Sequence, residues 1–140
     1  MVKAGCVNPE ILAAIAKCGH GDQIIIGSGN FPLESQVSSD VKKVYLNLAP
    51  GVPTSSEILK ALLSVINVEA AGVIAPPDGS MKAEVFEDYK RLLGFEELKG
   101  YGRDEFYEAC KKPTVRLAIE SADQRAFSNV LLTVGVVRGA

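Results

Sequence analysis

The chain has 140 residues, of which 47% are apolar and 23% charged, with a net charge of −2 and an isoelectric point near 5.4. This is the length of one globular domain, residues 1–140, able to bury a core without staples; the charge balance argues against nucleic acid as a main partner. The longest apolar stretches, such as Val68 to Pro77, are too short and interrupted to span a membrane.

Asn8-Pro9-Glu10 opens a first helix: Asn caps, Pro sits at the first helical position and Glu faces the positive end of the dipole. Ile11, Leu12, Ile15 and Ala16 recur at helical spacing, with Lys17 in the last turn, and Gly19 ends the run. Gln23 to Ile26 is a short β-branched strand, followed by a loop from Gly27 to Pro32. A strand is predicted over Val41 to Leu48, and Gly51-Val52-Pro53 turns the chain. Thr54-Ser55-Ser56-Glu57 has the form of a capping box, for a helix carrying Ile58, Leu59, Leu62, Leu63 and Ile66. Ala70 to Ala75 reads as a buried strand closed by Pro76-Pro77-Asp78-Gly79. Helices are predicted over Met81–Leu93 and Asp104–Cys110, and strands over Val115–Ile119 and Val130–Val134. This alternation predicts an α/β sandwich, a mostly parallel or mixed sheet flanked by helices. Few strands alternate cleanly, as expected of a sheet covered on both faces.

Met1 to Cys6 lacks the apolar segment of a signal peptide, so a cytoplasmic location is expected. The three cysteines, Cys6, Cys18 and Cys110, have no CxxC spacing and read as free thiols. The single histidine excludes a multi-histidine metal site.

That histidine, His20, is the first candidate for chemistry. It lies in Gly19-His20-Gly21-Asp22, between a helix end and a buried strand. An imidazole, with a reference pKa near ~6.5, can give and take a proton at neutral pH. Asp22 is close enough in sequence to orient it. The plainer alternative is a histidine that only interacts with a helix C-terminus. Ser28 and Asn30 occupy the loop leaving the first strand, a common ligand position in α/β proteins, although turn chemistry alone accounts for them. The Gly27-x-Gly29 pair has Pro32 where a dinucleotide loop has its third glycine, and no helix pattern follows at once. Arg103 can contact an anion or hydroxyls, or pair with nearby acids. Cys18 is better read as an inert thiol than as a nucleophile paired with His20. Asp123, Phe127 and Asn129 fall in the loop before the last strand and read as turn residues.

Taken in order, these segments resemble the D-ribose pyranase / L-fucose mutarotase family over nearly the full chain. Gly5-x-x-Asn8-Pro9-Glu10-Ile11-Leu12 is similar to its first helix. Gly19-His20-Gly21-Asp22, three isoleucines and Asn30-Phe31-Pro32 are similar to its active-site block. Gly51-Val52-Pro53 and Val68-Glu69-Ala70-Ala71 look like the ribose branch, and Arg103-x-x-Phe106-Tyr107-Glu108 like the fucose branch. The closing Asn129-x-x-Leu132-x-x-Gly135-Val136 matches both.

The resemblance implies an isomerase that opens and recloses a monosaccharide ring, exchanging anomers or pyranose and furanose forms. It implies toroidal rings, often decamers, with sugar sites between neighbouring subunits. By position His20 would be the proton donor, with Asp22 beside it. Ser28, Arg103, Asp123, Phe127, Ser128 and Asn129 would surround the sugar. Ring opening involves no redox change, so no cofactor and no metal is required. The family usually has Asp where this chain has Ser28, Tyr where it has Phe127, and Gly-Glu where it has Ala122-Asp123. Ser28 can hydrogen-bond a hydroxyl but cannot act as a carboxylate base. That leaves Asp22, Asp123 or water for the base. A non-catalytic sugar-binding or regulatory relative, or a purely structural ring protein, is the alternative.

Overall fold

The computed structural model describes residues 1–139. Its strands are β1 (Gln23–Gly27), β2 (Lys42–Tyr45), β3 (Val68–Ile74), β4 (Lys99–Tyr101), β5 (Val115–Glu120) and β6 (Val130–Val134). Its helices are α1 (Pro9–Ala16), α2 (Leu33–Gln36), α3 (Ser55–Leu63), α4 (Glu84–Leu93) and α5 (Arg103–Cys110). The six strands form one mixed sheet in the order β2-β5-β1-β6-β3-β4. Strand β6 runs antiparallel to both its neighbours, and the other three pairings are parallel. The carboxyl ends of β1 to β5 therefore share one edge of the sheet with the amino end of β6.

The β1 isoleucines show why periodicity is weak. Ile24 and Ile26 belong to the core under α1, α3 and α4, with Ile11, Leu59, Leu62, Phe86 and Tyr89. Ile25 faces the other way, into the core under α2 and α5, with Leu33, Phe106 and Cys110. All three are fully buried, so each contributes about 1.5–3 kcal/mol of transfer free energy whichever face it takes.

Helix ends follow local chemistry. Asn8 Oδ1 accepts from the Ile11 N–H at 3.0 Å. Thr54 and Glu57 form the capping box of α3. Gly94 ends α4 in the left-handed conformation at φ 72°. Other boundaries differ from expectation. The β2 ladder is shorter, the N–H of Leu46 making its last bond to the Glu120 carbonyl. Met81 adopts φ 52°, which a right-handed helix cannot include, so α4 starts at Glu84. Strand β4 and helix α2 were not expected. Each is only one turn or three residues long, and β4 exists through pairing with β3.

Candidate functional site

The carboxyl edge of the sheet carries a polar ledge. Ser28 follows β1 directly, and its N–H donates to Asn129 Oδ1 at 2.7 Å. Ser28 Oγ accepts from the Asn30 N–H at 3.3 Å and shapes the turn. Gly29 packs against Ala122, where an added Cβ would come within 3.2 Å of backbone. Beside this turn a cavity of about 350 Å³ opens between Asn30, the Asn47–Pro50 loop, Ala122 and Gln124.

Pairing register extends the ledge across the sheet. Tyr45 pairs with Glu120, and Glu120 with Gly27. Ile26 pairs with Val130, so one further step sets Asn129 opposite Gly27. Tyr45, Glu120, Gly27 and Asn129 thus form one row on the α2/α5 face. Arg103 begins α5 at the same edge, exposed, its guanidinium 5.6 Å over the Tyr107 ring. Tyr107 in turn stands edge-on to Phe31, with centroids 5.7 Å apart.

Asp123 has a different employment from the one expected. Its carboxylate is 1% exposed. Oδ2 accepts from the Ser55 N–H at 2.9 Å, the Ser55 hydroxyl at 2.7 Å and Arg125 Nη2 at 2.7 Å. Oδ1 accepts from the Arg125 N–H and Nε, both at 3.0 Å. Burial pushes this carboxyl up, but the Arg125 and Ser55 bonds outweigh it and hold it down at about 2. Arg125 also bonds Asp88 at 2.7 Å, and the Tyr89 hydroxyl joins Ser55 to the Ser128 carbonyl. This network fastens the 121–129 segment to α3 and α4. The Ser128 hydroxyl donates to the Arg125 carbonyl at 2.8 Å, closing the turn from within. Phe127 sits at φ 61°, a left-handed conformation costly for an aromatic residue, and packs against Phe86.

His20 lies at the opposite edge. The β1 strand between it and Ser28 spans about 13 Å at ~3.3 Å per residue. The imidazole is 59% exposed and stands on the lip of a hollow of about 460 Å³ lined by Ile66, Asn67, Val134 and Val136. Its Nε2 lies 2.9 and 3.0 Å from the two carboxylate oxygens of Glu69 on β3. A carboxylate only accepts, so the proton is assigned to Nε2. Asp22, expected at the imidazole, turns instead to the Gly19 N–H at 2.7 Å and closes the bend that presents His20. The carboxylate that orients the ring comes from 49 residues along the chain. No local sequence signal marks that partnership, because the β6-mediated approach of β1 to β3 creates it.

A second residue missed in the sequence is Glu120. It is 7% exposed, and its Oε1 is buried without a hydrogen-bond partner among the described residues. Desolvation alone pushes this carboxyl up to about 7. An acid at the end of the apolar run Val115–Ile119 was the only available hint.

The model of the RbsD / FucU transport protein family matches residues 1–137. The chain belongs to this family. The D-ribose pyranase of Clostridium novyi is 30% identical, covering 98% of this chain and 99% of its own. Among solved structures, the family member FucU from Bifidobacterium longum is 28% identical with a TM-score of 0.82, over 96% of this chain and 99% of its own. The fold is shared with Bacillus subtilis RbsD complexed with D-ribose, at TM-score 0.82 and 24% identity over 99% of this chain and all of the other. It is shared too with the fucose mutarotase in complex with L-fucose from Streptococcus pneumoniae, at TM-score 0.79 and 19% identity over 94% of this chain and 95% of the other.

Proposed function

We propose that this RbsD / FucU family member is a monosaccharide mutarotase or pyranase, with His20 as the acid that protonates the ring oxygen. The observation that carries this reading is a lone, exposed imidazole held by Glu69 on the lip of an open hollow. Its D-ribose pyranase relatives support a free monosaccharide such as a pentose as the substrate class. In the reaction a base takes the anomeric hydroxyl proton while His20 gives one to the ring oxygen. The C1–ring oxygen bond breaks, and an aldehyde forms at C1. Attack of the same hydroxyl on the other face gives the other anomer, and attack of a different hydroxyl changes the ring size. Proton transfer of this kind is worth roughly 100- to 10,000-fold, and the electrons balance without a cofactor.

The chain acts as one domain within an assembly. The ledge of Ser28, Asn129 and Arg103 is too far from its own His20 to share one sugar ring. A site built from the ledge of one copy and the His20 of another satisfies both. Exposed apolar residues flank each half: Val65, Val136 and Val137 near His20, and Leu48 and Val52 near the ledge. Such patches favour burial between copies, consistent with a closed ring such as a decamer. The three free thiols suit a cytoplasmic location.

Saturation-transfer NMR on ribose, fucose and related free sugars tests the reading. The protein is expected to accelerate exchange of at least one sugar, and His20→Ala to abolish it without lowering the melting temperature. Full activity in that variant overturns the acid role. Binding without exchange would instead select a sugar-binding relative, which Ser28 in the ledge favours.

A further inference from the structure

Proton exchange at a hemiacetal needs two groups, and His20 is only one of them. The available acids divide sharply by placement. Asp22 is at the His20 edge and holds the Gly19 N–H. Asp123 is on the ledge, but its two oxygens already accept five hydrogen bonds from Ser55 and Arg125. Ser28 and Asn129 carry no carboxyl. Glu120 is the remaining carboxyl in the row, and it is unspent.

Its geometry is specific. The residue ends β5 between Gly27 and Tyr45, on the same face as Asn129. Its Oε1 would lie 2.7 Å from a Cβ at Gly27, so the carboxyl leans into the space that glycine leaves open. Asn129 is the next residue of the row, on the far side of β1. Phe31 borders the same space, with atoms 3.0 Å from that point. A buried carboxyl oxygen with no partner costs folding free energy, and an apolar residue here would extend the adjacent core at no such cost.

We propose that Glu120 is the second proton-exchanging group of the sugar site, taking the anomeric hydroxyl proton and returning it on ring closure. This rests on the mutarotase reading. As the C1–ring oxygen bond breaks, the hydroxyl proton passes to a Glu120 oxygen, the O–H electron pair becomes the C1 carbonyl, and His20 of a second copy protonates the ring oxygen. On closure, the carboxylic acid gives its proton to the carbonyl oxygen, and the attacking hydroxyl returns one to the imidazole. Desolvation supports the role by raising this carboxyl to about 7, where both forms are populated at neutral pH. The other titratable or charged groups on this face include Lys43 and Tyr45 on β2, Glu34 on α2, Lys99 and Tyr101 on β4, and Arg103, Tyr107 and Cys110 on α5. None of them bonds Oε1.

The test is anomer exchange by wild type, Glu120→Gln and Glu120→Gln/Ser28→Asp over pH 5 to 9. Glu120→Gln keeps the shape, and is expected to lose at least tenfold in kcat and the pH limb near 7, with KM little changed. Ser28→Asp, one residue beyond Gly27, is expected to restore part of the rate. Glu120→Gln with the wild-type rate and pH profile, while His20→Ala is inactive, overturns the role of Glu120 alone. No exchange by wild type with any sugar overturns the mutarotase reading and this role together. Should Glu120→Gln fail to fold, carbon-13 NMR titration of the Glu120 carboxyl in wild type decides. A midpoint moved by an exchanging sugar supports the role, and an unmoved one overturns it.

Discussion

The two edges of the sheet hold their polar groups in opposite ways. At the carboxyl edge Asp123 is 1% exposed and tied to Ser55 and Arg125, with Asp88, Tyr89 and Ser128 behind them. At the amino edge His20 is 59% exposed and has one partner, Glu69, itself 45% exposed. The first arrangement shapes a surface, since its bonds are spent on keeping the 121–129 segment in place. The second leaves an imidazole open to solvent with a single partner. A polar residue near a strand end is therefore not yet a functional group; what matters is whether the fold has already consumed its hydrogen bonds.

The sharpest break of this contrast is His20→Ala. We expect a loss of about 100- to 10,000-fold in sugar exchange with an unchanged melting temperature, checked by exchange NMR beside calorimetry. The reverse pattern is expected for Asp123→Ala. Removing the carboxylate leaves the buried Ser55 N–H and hydroxyl without their acceptor, while Arg125 keeps Asp88, and costs about 1–3 kcal/mol in urea unfolding. Any activity lost there should follow the folded fraction. Glu69→Gln probes the weaker end. It keeps a hydrogen-bond acceptor but removes the charge, and a fall in kcat of about threefold to tenfold with little change in stability is expected.

The smallest effect is a pair of opposed pH dependences in stability. Glu120 has its folded carboxyl raised from 4.5 to about 7, so the unfolded chain binds fewer protons in that window. Its stabilising contribution is complete below 4.5 and is lost as pH rises toward 7. Asp123 is lowered from 3.8 to about 2, so its contribution is present above 3.8 and lost as pH falls toward 2. Melting temperatures from pH 2 to 8 should show both slopes, with the upper one absent from Glu120→Gln.

Much of the fold was readable in the chain. Asn8 and Thr54 capped the helices they were expected to cap, and five of the six strands overlap segments predicted as strands. Lys99–Tyr101 escaped because three residues containing a glycine have no period to detect. Asp22 was chosen by nearness in sequence and Asp123 by its position in the family resemblance, and both proved to be bonded elsewhere. Glu69 and Glu120 were not read as site residues because their neighbours arrive through β6 and β1.

Local chemistry alone determined the caps, the strand-forming runs and the choice of His20, since each depends on residues within one turn or one strand, and the order of such segments along the chain carried the family resemblance. Strand order determined the rest. The sequence β2-β5-β1-β6-β3-β4 brings Glu69 to the imidazole, lays Glu120 over Gly27 and parts His20 from Ser28 by the length of β1. Those contacts join residues distant along the chain, and only burial and pairing in three dimensions decide which carboxylates are satisfied and which remain available.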